Sequence, residues 1–257
     1  MTSFTNTKLR MEREAGFTLL ELLIVISIIA ILSVALVFLL NPAEALKKSR
    51  DARRIADLKT LKTAIGVMLT STSTPSLDNF AAAGGAGSCL TVAPGGGTLA
   101  LNSTAKIAYS TTSVACTGAA PAAGTDAATT FGGAAAWCSA GTAAIDGNGW
   151  IKIVFKNLTS GSPISNLPVD PTNTVNATTP AKTDLVYRYA CQNATSSTVG
   201  SGKPGFVFEV NAVLESNAYT VDDNRMAKDG GDNDNKYEIG NSLNLLPTKA
   251  TDDATPF

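Results

Sequence analysis

The stretch GFTLLELLIVISIIAILSVALVFLL (residues 16–40) is the part of the chain from which the fold follows. From Phe17 to Leu40 it contains a single charged side chain, Glu21. At about 1.5 Å per residue, a helix of this length is long enough to cross a hydrocarbon core of about 30 Å. We therefore predict a membrane-spanning helix over residues 17–40.

Glu21 is an unusual residue for this position, because it lies just inside the apolar run. An unpaired carboxylate within a bilayer costs roughly 2.5 to 3.5 kcal/mol on insertion scales. Glu21 is therefore expected to have a partner.

The residues before the apolar run form a polar leader, whose basic side chains are Lys8, Arg10 and Arg13. A secretory signal has the opposite order, with a short apolar region ahead of a small-residue cleavage site. An ordinary signal anchor is the alternative, since the positive-inside rule would also keep a basic leader in the cytoplasm. That alternative leaves Glu21 unexplained.

The leader, Gly16, Phe17 and Glu21 together resemble the class III signal of type IV pilins and type II secretion pseudopilins. The resemblance implies that a prepilin peptidase removes residues 1–16 and methylates the new amine of Phe17. It also implies that Glu21 pairs with the N-terminal ammonium of a neighbouring subunit. The expected location is the cytoplasmic membrane, crossed once with the N-terminus inside and the rest outside, and then an extracellular filament.

Composition excludes several classes of function. The 257-residue chain has no histidine, so a Ser-His-Asp or Cys-His catalytic unit and a His-ligated zinc site are impossible. The formal net charge is −1, which argues against a generally basic nucleic-acid binder. Charge is nevertheless uneven: residues 43–69 hold seven basic and three acidic residues, and residues 70–257 hold ten basic and fifteen acidic.

A second helix is predicted over residues 41–69. Pro42 predicts a kink or break after the membrane span. Apolar residues then recur at helical spacings of three and four, at Leu58, Leu61, Ile65 and Met68. The basic cluster in residues 47–54 could bind lipid headgroups, acidic neighbours in a filament or nucleic acid. A solvated face is its commonest interpretation.

Residues 70–149 are dominated by alanine, glycine, serine and threonine, and we predict a loop region with weak strands between Leu99 and Tyr109. Four cysteines lie beyond the span, on the exported side: Cys89, Cys116, Cys138 and Cys191. Their even number favours disulfides, in one of three possible pairings. A zinc site is the less expected alternative, because no CxxC pair is present.

Residues 150–257, which we call the head, show alternation typical of strands. It covers three segments: Trp150–Phe155, Leu185–Cys191 and Phe206–Leu214. The proline-rich residues 157–180 predict an irregular loop. We expect an α+β fold, in which a long N-terminal helix, with a transmembrane half and an amphipathic half, packs on a small antiparallel sheet. The same architecture is implied by the pilin resemblance.

An acidic, glycine-rich loop near the C-terminus contains Asp229, Asp232 and Asp234. Clustered carboxylates on such a loop suit calcium, which accepts six to eight oxygen ligands. Major pseudopilins have a calcium site in a similar place, although the spacing here differs from the EF-hand loop. A solvated acidic loop without metal is the alternative.

These features predict a structural subunit of a type IV pilus-like filament, and not an enzyme. Its expected partners are prepilin peptidase, identical or related pilin subunits, and a pilus or secretion assembly platform. The alternatives are a pseudopilin of a type II secretion system and a pilus-borne adhesin or DNA-uptake pilin. Nucleic acid is not among the expected partners, because the head is acidic where DNA binding needs an exposed basic patch. An anchored hydrolase using Asp and Glu pairs is the least favoured alternative.

Overall fold

The computed structural model describes residues 16–73, 75–78, 89–91, 107–111, 138–174, 183–193, 206–231 and 233–243. The chain forms two compact units, Met1–Ala45 and Leu46–Phe257.

The first helix, α1, spans Leu19–Leu40 and follows the predicted membrane span closely. Its segment Leu19–Val37 is long and apolar enough to cross a membrane, by length and composition. The large apolar side chains described along it are exposed, as expected of a helix whose surroundings are lipid or other chains. The predicted break lies at Asn41, which adopts a left-handed conformation with φ of 38°.

The second helix, α2, spans Pro42–Ser71. It begins with proline, whose fixed φ suits the first helical position and whose missing N–H has no intrahelical partner there in any case. The predicted apolar face is confirmed, because Leu58, Leu61, Ile65 and Met68 are all buried. Two charged side chains of the same helix, Asp51 and Arg54, are also buried.

Six strands form one sheet in the described part of the chain: β1 (Leu90–Thr91), β2 (Ile107–Tyr109), β3 (Cys138–Ala140), β4 (Arg188–Asn193), β5 (Val207–Ala212) and β6 (Tyr237–Gly240). The strand order is β3-β2-β4-β5-β6, and β1 pairs with β4. Strands β2, β4, β5 and β6 are antiparallel neighbours, whereas β3 joins β2 and β1 joins β4 in parallel. A short π-helical segment, Ala218–Asp222, lies between β5 and β6.

One face of the sheet packs on α2. Tyr189, Phe208 and Val210 belong to the same buried apolar cluster as Leu61 and Ile65. The predicted α+β architecture, an amphipathic helix on a small antiparallel sheet, is therefore confirmed. The alternate residues of β5 are buried as well, so this strand is covered on both faces.

The strand predicted over residues 150–155 is wrong, although its burial pattern is right. Ile151, Ile153 and Phe155 are fully buried, as the alternation predicted. The backbone amides, however, bond to carbonyls of a neighbouring loop, Trp150 N–H to Thr142 at 2.8 Å and Phe155 N–H to Ile145 at 2.9 Å. Alternating burial therefore arises here without a strand ladder, through isolated bridges alone.

Other boundaries also differ from the prediction. Strands β1, β2 and β3 lie inside residues 70–149, where only weak strands near residues 99–109 were expected. Strand β6, which directly follows the acidic loop, was not predicted. Strand β4 begins at Arg188 rather than at Leu185. Residues 157–174 contain no helix or strand, in agreement with the predicted irregular loop.

Candidate functional site

The N-terminal motif forms a capping box at the start of α1. Thr18 is the N-cap residue, and its hydroxyl oxygen accepts a hydrogen bond from the backbone N–H of Glu21 at 3.2 Å. In return, Oε2 of Glu21 accepts from the Thr18 backbone N–H and from its hydroxyl, each at 3.0 Å. These bonds satisfy donors that the first turn of a helix otherwise leaves without a partner.

This arrangement supplies an intrachain partner for Glu21 that the sequence reasoning missed. The signal was present, because Thr18 followed by Glu21 at the third position matches the capping-box pattern. Only Oε2 takes part in the box. The other oxygen, Oε1, accepts no hydrogen bond from any residue that the structure describes.

Gly16 is not required by the fold of the described residues. A Cβ built at this position would meet no atom of the described residues within 4 Å. The next side chain, Phe17, is 80% exposed. Packing among the described residues therefore gives no reason for glycine at position 16.

A second polar site joins α2 to two segments of the head through Arg54, whose side chain is fully buried. Its guanidinium forms a bidentate pair with Asp170, through Nε at 2.7 Å and Nη2 at 2.9 Å. Nη1 donates to Asp51 at 2.8 Å and also bonds to Glu215. A second arginine, Arg50, donates two hydrogen bonds to the Glu215 carboxylate, from Nε and Nη2, both at 3.0 Å.

Asp51 extends this network to the backbone. Its carboxylate accepts the N–H of Glu215 at 3.0 Å and the N–H of Ser216 at 2.7 Å. Because charged hydrogen bonds in a buried setting are strong and directional, the network fixes the Asp170 and Glu215 segments against α2.

The network corrects the interpretation of residues 47–54 as a solvated basic face for Arg50 and Arg54, whereas Lys48 and Arg53 are exposed. Arg54 has no exposed side-chain surface, and Arg50 is engaged by Glu215. The residues that complete the site, Asp170 and Glu215, were not identified from the sequence. They lie 116 and 161 residues from Arg54, and no local pattern links them.

Burial and ion pairing shift the pKa values of two carboxyl groups of this region, Glu215 and Asp57, in opposite directions. Burial disfavours the charged form of Glu215, but the hydrogen bonds from Arg50 and Arg54 outweigh it, and the pKa of Glu215 is lowered. Burial raises the pKa of Asp57, and this outweighs the hydrogen bond that Tyr187 Oη donates to it at 2.9 Å. The two residues thus respond oppositely to acid.

A disulfide joins Cys89, just before β1, to Cys191 in β4. The prediction of disulfides is therefore confirmed for one pair, which closes a sequence separation of 102 residues. Of the three possible pairings, the one that contains this bond joins Cys116 to Cys138. Cys116 and the Cys138 side chain lie outside the described residues, so that second bond stays a prediction.

The acidic loop is organised by Asp229. Its carboxylate accepts the N–H of Gly231 at 2.8 Å and that of Glu238, in edge strand β6, at 2.7 Å. Asp234 is exposed, and Asp232 lies outside the described residues. Among the residues that are described, no group of three metal-binding side chains is assembled. Calcium binding by this loop stays a prediction.

Comparison with known families bears on the N-terminal site. Residues 11–37 match the model of the prokaryotic N-terminal methylation motif. The chain carries the class III signal of type IV pilins and pseudopilins. The matched residues include Gly16, Phe17 and Glu21, and the match stops short of α2 and the head. Comparisons with curated proteins and with solved structures found no match.

Proposed function

We propose that this protein is the structural subunit of a type IV pilus-like filament. It is stored in the cytoplasmic membrane as a prepilin and polymerises through α1. The observation that carries the proposal is the methylation motif placed directly at the start of an apolar helix whose large side chains are exposed. Lipid covers this surface before assembly, and the helices of other subunits cover it afterwards.

Processing is the first step of the proposed function. The geometry at Gly16 supports it, because the fold of the described residues gives no reason for glycine there. A requirement for glycine follows if a prepilin peptidase must bring this backbone close to its catalytic groups. Cleavage after Gly16 then makes Phe17 the N-terminal residue, and its amine is methylated.

Assembly is the second step, and Glu21 has the decisive role in it. Its Oε2 caps its own helix, while Oε1 remains available. In the filament this oxygen faces the N-terminal ammonium of an adjacent subunit. The pair neutralises two charges that would each be costly in an apolar environment.

The remaining features support a structural protein with an exported head. The disulfide between Cys89 and Cys191 is typical of a compartment outside the cytoplasm. A class III signal implies that α1 crosses the membrane with the N-terminus inside the cell. The disulfide-bonded head then lies outside. The partners are prepilin peptidase, further pilin subunits and an assembly platform.

Electron microscopy of surface filaments tests this function. Cells that produce the chain should yield sheared filaments labelled by an antibody against the head, and cells that lack it should not. Loss of protein secretion without loss of long filaments would instead identify a pseudopilin. Unlabelled filaments of normal number, with normal secretion, would contradict both.

A further inference from the structure

The outer face of α2 carries a stripe of three lysines, Lys48, Lys59 and Lys62, all exposed. At 3.6 residues per turn, these positions fall within a sector of about 60° and extend over about 21 Å along the helix. We call this set the lysine stripe.

The lysine stripe differs from the arginines of the same helix in having no partner among the described residues. Arg50 and Arg54 point to the head, and Arg53 pairs with Asp57 at 3.6 Å. None of the three ammonium groups of the stripe forms an ion pair or a hydrogen bond within the part of the chain that the structure describes. These three lysines can therefore form ion pairs with another molecule.

The head also carries exposed charges of the opposite sign. Asp222, at the end of the π-helical segment, and Asp234, in the acidic loop, are exposed, and neither forms an ion pair among the described residues. Asp223, in contrast, is paired with Arg225 and Lys228. Over residues 215–238 there are seven acidic and three basic residues, the mirror image of residues 43–69.

We infer that the lysine stripe of one copy docks on Asp222 and Asp234 of a second copy of this chain. A contact between two different sets of residues is heterologous when it runs head to tail, and a heterologous contact whose rotation does not close generates an open polymer. This inference rests on the proposed function, and it adds a contact between α2 and the head to the contacts made through α1. Each exposed ion pair contributes little to the free energy of assembly, but the contact recurs at every subunit.

The surroundings of the stripe favour a protein partner. Small exposed side chains lie beside the lysines, among them Ala52, Ala56 and Thr63, and they permit close approach of another backbone. Helix α2 contains no aromatic residue, whereas single-stranded nucleic acid is held by aromatic stacking. An anionic lipid surface or a nucleic acid would need the lysines alone and would not need Asp222 or Asp234.

Charge reversal followed by charge exchange tests the inference. The double variant Lys59→Glu/Lys62→Glu should lower the sheared-filament yield about fivefold or more, since two weak pairs are replaced by repulsion at every contact. Adding Asp222→Lys/Asp234→Lys to the same chain should restore the yield to within about twofold of wild type, because the signs are again complementary. The matched control is Lys156→Glu, at an exposed lysine of the head, which should leave the yield unchanged.

Three results would overturn the inference: a normal yield from the double reversal, a reversal that the exchange does not rescue, or an equal loss in the Lys156→Glu control. A rescue failure accompanied by lost binding to anionic vesicles or to DNA would reassign the lysines to that ligand. If wild-type cells form no filaments at all, the proposed function fails instead. The amount of each variant in the membrane serves as the folding control.

Cysteine cross-linking locates the contact directly. Cells should produce two tagged copies, one carrying Lys59→Cys and the other Asp222→Cys. The expected product is a disulfide-linked dimer containing both tags, with little dimer from either variant alone. Dimers containing only the Lys59→Cys tag would indicate a symmetric helix-to-helix contact and would contradict the inference.

Discussion

The carboxylate of Glu21 accepts the backbone N–H of Thr18 at 3.0 Å, and the Thr18 hydroxyl accepts the backbone N–H of Glu21 in return. The residue that the proposal assigns to contact between subunits is therefore also the residue that closes the first turn of its own helix. These two roles make different demands on the side chain. The cap needs an acceptor, which glutamine also supplies, whereas the intersubunit pair needs a negative charge.

Substitutions at this pair separate the two roles. If the charge drives assembly, Glu21→Gln and Glu21→Ala should both insert, be cleaved and fail to yield filaments. Thr18→Ala, which removes the N-cap side chain at a cost of about 1 kcal/mol of helix stability, should retain most of the yield. Filament yield should be compared with the amount of processed subunit in the membrane. A wild-type yield from Glu21→Gln would show that capping, and not charge, is what assembly requires.

The buried arginine network should dominate the stability of the head. Arg54→Ala leaves Asp51, Asp170 and Glu215 without their shared cation, and breaking a buried pair in this way costs about 3 to 5 kcal/mol. The matched control is Arg53→Ala, one residue away but 66% exposed, which should change stability by less than about 1 kcal/mol. Guanidinium unfolding followed by the fluorescence of buried Trp150 measures both. Equal effects would contradict the assigned role of Arg54.

Acid should reveal the opposite shifts of two carboxyl groups. The pKa of Glu215 is lowered from 4.5 in the folded protein, so its stabilisation is complete above that value and is lost as the pH falls through the lowered pKa. The pKa of Asp57 is raised from 3.8, so its contribution is complete below 3.8 and is lost as the pH rises through the raised pKa.

The stability difference between wild type and Glu215→Gln should therefore shrink as the pH falls below 4.5. The difference between wild type and Asp57→Asn should change in the opposite sense, in favour of wild type as the pH falls towards 3.8. Unfolding measured between about pH 3 and 6 checks both signs. Parallel pH profiles for the two variants would contradict the shifts.

The disulfide should appear in a peptide map made without reduction. We expect one fragment that contains both Cys89 and Cys191, and no free thiol in the exported protein. Closing a loop of about 100 residues contributes about 4.7 kcal/mol in the chain-entropy treatment, so Cys89→Ala/Cys191→Ala should unfold at markedly lower denaturant. Four free cysteines, or a fragment joining Cys89 to Cys116, would contradict the assignment.

The parts of the fold that were predictable are those with local periodicity. The apolar run from Phe17 to Leu40, with Glu21 as its single charge, and the spacing of Leu58, Leu61 and Ile65 are both local signals, and both helices were found. Alternation between residues 150 and 155 reports burial, but strand pairing depends on which carbonyls the amides reach. There the amides reach residues 142 and 145, in a loop with no strand signal.

The parts that were missed depend on distant partners. Glu238 is charged and yet lies in β6. This strand pairs with β5, and the backbone N–H of Glu238 donates a hydrogen bond to the carboxylate of Asp229. The site at Arg54 is built from residues more than 100 positions apart, and the local sequence shows only a basic cluster. The capping box at Thr18, in contrast, could have been read directly from the sequence.

Mass spectrometry of the mature N-terminus tests the central claim most directly. The account predicts that the membrane-bound and filament forms begin at Phe17, with a methyl group on the amine and α1 retained. Gly16→Ala should accumulate as an uncleaved precursor in the membrane, even though the fold has space for the added methyl group. A mature protein that still begins at Met1, or one that begins beyond Leu40 with α1 removed, would contradict it.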